Sequence, residues 1–234
     1  MAFQVVAPNP DNLKATAILD YSTPNVQELV NGLTREGEAG LPLLRKAHLY
    51  LVGAVHPVYS VNEWQPVSTT LERSRGSCSQ RMALLEAIAR SVGIATRVQA
   101  LELRGSFWYP RFRYLRWFIP NSVLLVWPQF FFDNRWTDFA ELHSSMESLV
   151  AKAKGGFKND GESLFDAVRD TPVDFVGRTC QMACATPEYN LSKFLIADRG
   201  LFNTRDEAFE MFGSFQHTVR GRIFEMLYGD WKSS

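Results

Sequence analysis

The chain has 234 residues, 46% of them hydrophobic and 13% aromatic, enough to bury a sizeable core. Its 25 lysines and arginines balance 25 aspartates and glutamates, so the zero net charge gives no case for a general nucleic-acid binder. Three cysteines form no disulfide-like framework, the N-terminus lacks a signal-peptide pattern, and no apolar run reaches the roughly 20 residues that cross a bilayer; the expectation is a cytoplasmic protein with no membrane partner.

Lys14 to Leu19 reads as a short strand. Pro24 opens a helix with Val26, Leu29, Val30 and Leu33 on one face. A second helix runs from about Gly40 to Val52 and carries His48 among apolar neighbours. Residues 53 to 75 read as loop and short helix, with His56 just before Pro57. Cys78 follows Gly76 and Ser77 and precedes the amphipathic run Met82 to Ala89, which places the thiol on the first turn of a helix. Unpaired N–H groups and the positive end of the helix dipole favour thiolate there, and the thiolate is the nucleophile. Gly93 sits at the left-handed cap position, and Ala95 to Leu103 reads as a strand.

Arg104 to Phe118 interleaves arginines with aromatics. Such mixing binds carboxylates, phosphates or planar rings; the alternative is a hairpin with its arginines in solvent and its aromatics in the core. Val123 to Trp136 reads as two extended segments or one bulged strand, then a tight turn at Asp133-Asn134 and a new strand. Pro128 cannot donate to a ladder and marks an edge or a bulge. Residues 140 to 153 read as helix, 154 to 161 as loop, 163 to 169 as short helix and 171 to 179 as loop or short strand. Thr204 to Glu207 is a capping box opening a long helix that contains His217. Its expected buried stripe is Phe209, Met211, Phe212, Phe215, Val219, Ile223 and Leu227. The fold class is α+β.

Gly76-Ser77-Cys78, the helix exit from Ser91 to Arg97, and Val126-Trp127-Pro128 through Asp133-Asn134-Arg135-Trp136 resemble the transglutaminase-like (papain-like, cysteine-dependent) superfamily. The resemblance covers about residues 40 to 140, with Ala47 to Val52 and Val67 to Leu71 as the lead-in. It implies a cysteine-bearing helix packed on an antiparallel sheet, with extra N- and C-terminal helices. The chain is expected to be one such domain, with a helical part at 1–60, the core at 61–140 and a helical extension at 141–234. The resemblance also implies a Cys-His-Asp triad, in which imidazole takes the thiol proton and the carboxylate steadies the imidazolium. Leu125 stands at the histidine position and Ala140 at the aspartate position, with Asp138 two residues earlier.

Cys78 is therefore the expected nucleophile, with Asp138, His143 and His56 as candidates for the acid–base set. Trp127, Gln129, Trp108, Arg111, Arg113 and Arg116 are the candidate substrate contacts. No cofactor is expected, and no cysteine or histidine spacing points to a metal. Leucine takes no proton, and a thiol leaving group needs far less protonation than an amine. The expected activity is acyl transfer, condensation or cyclisation on a small activated acyl substrate, free or carrier-bound, in specialised metabolism. The alternatives are a catalytically inactive relative that binds a ligand or partner, and a cyclase or isomerase with no covalent acyl intermediate.

Overall fold

A computed structural model describes residues 7–112, 116–152, 156–159, 162–178 and 190–231. Arg113, Cys180 and Cys184 lie outside the described residues. Helix α4 (Cys78–Ser91) forms the centre of the fold, buried from Ser79 to Arg90. A helix sunk this deep must satisfy its charges with partners. Arg81 meets Asp166 at 2.7 Å, and Glu86 meets Arg205 in an ion pair exposed by no more than 1% on either side.

Helices α1 (Pro24–Thr34), α2 (Gly40–Ala54) and α3 (Val67–Glu72) pack on α4 and on one another, as the sequence periodicity requires. Val26, Val30 and Leu33 are the buried face of α1. Strands β1 (His56–Pro57) and β2 (Arg75–Gly76) pair in parallel and deliver the chain to α4. A Cβ on Gly76 would lie 2.8 Å from Thr70 Cγ2, so a side chain there would push α3 away from the turn that opens α4.

The other side of α4 faces an antiparallel sheet of β3 (Thr96–Arg104), β4 (Ser122–Phe132), β5 (Arg135–Asp138) and β6 (Leu195–Phe202), in the order β5-β4-β3-β6. The architecture is α+β, with the cysteine helix on an antiparallel sheet. The Asp133-Asn134 turn has both residues at positive φ, 46° and 58°, as a two-residue hairpin requires. Residues 122 to 132 form one continuous strand rather than two segments. Phe131 N–H donates to Ala95 O, so alternation turns the Pro128 nitrogen away from β3. On that side β5 pairs only with residues 129 to 132, so Pro128 sits at a local edge.

Other expectations are corrected. Residues 14 to 19 form no strand: Asp206 holds this segment as a turn, accepting from Thr16 Oγ1 at 2.7 Å and from the Ile18 N–H at 3.1 Å. Residues 140 to 153 are not one helix but a 3₁₀ turn (Phe139–Glu141) followed by α5 (Met146–Lys152). Strand β6 was not anticipated. The long C-terminal helix is two: α7 (Arg205–Phe212) ends at Gly213, at φ 74°, and α8 (Val219–Tyr228) restarts on the Thr218 cap. The break resets the helical phase, so Phe209 and Phe224 are buried while Met211, Val219 and Leu227 are exposed. His217 falls in the 3₁₀ turn between the two helices. Among the described residues no helix is long and apolar enough to cross a membrane.

Candidate active site

The first turn of α4 is built from Ser77, Cys78, Ser79 and Gln80. Ser77 Oγ accepts from the Gln80 N–H at 3.3 Å, and Gln80 Oε1 accepts from the Ser77 N–H at 2.9 Å. This reciprocal cap fixes the backbone around Cys78. The Gln80 amide also donates to Ser60 Oγ at 3.0 Å and to Asn62 O at 2.9 Å, stitching the 59–66 loop onto the same turn.

The sulfur of Cys78 is half-buried and lies 3.2 Å from Ser163 Oγ, at the cap of α6 (Leu164–Ala167). Arg81 Nη1 donates to the same Ser163 oxygen at 3.2 Å, which frees the hydroxyl hydrogen for the sulfur. Burial pushes the thiol up, but the Arg111 guanidinium, the Ser163 hydroxyl, the Phe165 backbone and Arg81 together hold it below its ordinary value. Cys78 opens into a cavity of about 450 Å³. Phe107, Phe112 and Phe118 line the cavity, as do apolar side chains such as Val61, Leu124, Phe209 and Phe224. Arg111 also lines it, with Nε and Nη2 buried and without a hydrogen-bond partner.

A half-buried thiol thus sits at a capped helix start, on a helix packed against an antiparallel sheet, and faces an open cleft. Residues 27–140 match the transglutaminase-like superfamily. Over that span, just under half of its length, the chain is similar to that superfamily. No match was found among curated proteins or among solved structures. The superfamily typically carries out cysteine-dependent acyl transfer or proteolysis.

The remaining positions of this transglutaminase-like core divide sharply. Leu125 lines the cavity from β4, paired across the sheet with Leu101. Trp108 lines it too. Asp138 does not: its Oδ1 accepts from Trp127 Nε1 at 2.6 Å and from the Ala140 N–H at 2.9 Å, and its Oδ2 meets Arg178 at 3.0 Å. Asp138 and Trp127 thus form a buried pair, with Phe139 spanning from Trp127 to Phe165. Gln129 accepts from Arg97 at 2.7 Å outside the cavity, and Arg116 lies exposed over the Tyr109 ring. His56 is exposed on β1.

His143 lies behind the cysteine rather than in the cleft. Its Nε2 is 2.9 Å from His48 Nδ1, and His48 Nε2 is 2.7 Å from Phe165 O. The carbonyl only accepts, so His48 carries its proton on Nε2 and His143 donates to His48 Nδ1. Burial pushes fully buried His48 down to about 4 and also lowers His143, so both are neutral at neutral pH. Among the described residues no histidine lines the cavity.

Sequence reasoning missed three polar groups. Arg81 stands three residues after Cys78, on the same helix face, and that spacing was its signal. Ser163 reaches the sulfur from 85 positions away and had none. Glu63 lines the cavity and accepts a hydrogen bond from Ser79, the residue after the cysteine. Burial pushes it up to about 7, against the Ser79 hydrogen bond and the charge of Arg205.

Proposed function

We propose that this protein is a cysteine-based acyl-transfer, condensation or cyclisation enzyme acting on a small activated acyl substrate. The observation that carries this reading is Cys78, held toward thiolate beside Arg111 in a mostly apolar cavity that no described histidine lines. A thiolate stabilised by fixed charge and hydrogen bonds needs no base to attack. An acyl thioester is the matching partner, because its leaving thiolate departs without a proton donor. Cleavage of an amide, whose leaving amine needs a proton, is disfavoured. The apolar lining suits an acyl or aryl chain, and the buried, unpartnered guanidinium of Arg111 suits a carboxylate or a carrier's phosphate.

The test is the alkylation rate of Cys78 against pH, read by intact mass and peptide mapping, with Cys180 and Cys184 as internal controls. The expected result is fast modification with an apparent pKa below that of a free thiol. Modification no faster than the controls would overturn the reading and favour a ligand-binding relative without turnover.

A further inference from the structure

We infer that Glu63 carries the proton in the second half of the reaction, taking it from the acyl acceptor as that group attacks the Cys78 thioester. The inference rests on the acyl-transfer reading. Three observations support it. Glu63 and Cys78 line the same cavity. The loop bearing Glu63 is fastened to the first turn of α4 through Gln80, and from the opposite side by Glu225 of α8, which accepts from Ser60 Oγ at 2.7 Å and from the Val61 N–H at 2.6 Å. Finally, Oε2 of Glu63 accepts from Ser79, whereas Oε1 takes no hydrogen bond from the described residues.

The charges around this carboxyl are few. From α4 it meets Ser79; from α7, Arg205, whose charge is taken by Glu86; from α8, Glu225. Arg111 lies on the cavity wall, and His217 packs on the neighbouring Trp64 ring at 6.5 Å. Burial and Glu225 therefore hold Glu63 near neutrality, in the range where a carboxylate is an effective general base.

The chemistry balances in two steps. Cys78 thiolate attacks the acyl thioester, the new C–S bond forms, and the donor departs as thiolate. An acceptor hydroxyl or amine then attacks acyl-Cys78 and gives its proton to Glu63 carboxylate while the Cys78 thiolate is released. Glu63 passes that proton to the departed thiolate, and both groups return to their starting states.

A stepwise assay separates these halves. The full chain is acetylated at Cys78 with p-nitrophenyl acetate, whose leaving group needs no proton, and desalted. Loss of the acetyl group to water is followed by intact mass from about pH 5 to about pH 9, a range spanning the carboxyl and thiol titrations. The wild-type rate is expected to rise with pH and level off above about 7. Glu63→Gln keeps an acceptor for Ser79, so acetylation should be unchanged; deacetylation should slow by about 10²-fold and rise continuously with hydroxide. Equal deacetylation rates and profiles in the two proteins would overturn the role of Glu63 and leave acyl transfer standing. Failure of wild-type Cys78 to acetylate would overturn the acyl-transfer reading and this inference together.

Discussion

Helix α4 meets an arginine at each end, and the two are treated in opposite ways. Arg90, near the C-terminus, is buried and makes five hydrogen bonds: to Thr96 Oγ1 at 2.7 Å and to the carbonyls of Asp11, Lys14, Thr96 and Asn203 at 2.6–3.2 Å. It ties the N-terminal turn, β3 and the start of α7 to the helix. Arg111, beside the N-terminus, has two buried nitrogens with no partner. An unpaired buried donor costs about 1–3 kcal/mol. A fold that satisfies one guanidinium completely and leaves the other open has kept the second for something other than its own stability.

Arg90→Met breaks the satisfied end and should have the largest effect. Four carbonyls lose a donor, so stability should fall by about 3 kcal/mol or more in urea unfolding. For a chain of this size that lowers Tm by about 6–12 °C. The Cys78 alkylation rate of the folded protein should not move, and a change in it would mean that the two ends are coupled.

Arg111→Met should show the reverse pattern. Stability at neutral pH should change by less than about 1 kcal/mol, because no hydrogen bond is lost. Alkylation of Cys78 at neutral pH should fall by about tenfold, because the thiolate loses its main countercharge. The sign of the pH effect on stability is fixed as well. The folded thiol is held below its ordinary value, so thiolate stabilisation is complete above the unfolded thiol's pKa and is lost as pH falls through the folded one. The stability lost in Arg111→Met should therefore be greatest at alkaline pH and fade on acidification. A uniform loss at all pH values would make Arg111 a packing residue.

The same contrast explains what could be read from the sequence. Cys78 at a helix start, the Gly93 cap and the Asp133-Asn134 hairpin are local, and residue types at fixed spacing dictate them. Leu125 could be placed near the thiol only through the family resemblance, by its spacing from Trp127, and it does line the cavity with Cys78. Ser163, Glu63 and the Asp138–Trp127 pair depend on contacts between segments distant in sequence, and no periodicity records those. The arginine-aromatic run was legible as unusual, yet only the fold separates Arg111, inside the cleft, from Arg116, outside it. Strand β6 was missed because it alternates weakly and lies at the sheet edge, where only one partner constrains it.

Ser163→Ala should have a smaller effect on the thiol than Arg111→Met, and it sharpens the comparison most. The sulfur loses one hydrogen bond at 3.2 Å, while the Phe165 backbone, Arg111 and Arg81 still favour thiolate. Arg81 loses Ser163 but keeps Asp166 at 2.7 Å, so the helix stays anchored. A neutral hydrogen bond contributes less than a charge, and the alkylation rate at neutral pH should fall by about two- to threefold. The double variant with Arg111→Met distinguishes two ways of holding a thiolate. If the charge and the hydroxyl act independently on the sulfur, the two rate losses multiply. If Ser163 instead positions the sulfur against the guanidinium, the double variant should be no slower than Arg111→Met alone. The first outcome is expected, because Ser163 is fixed by Arg81 from behind and Arg111 approaches from the cavity.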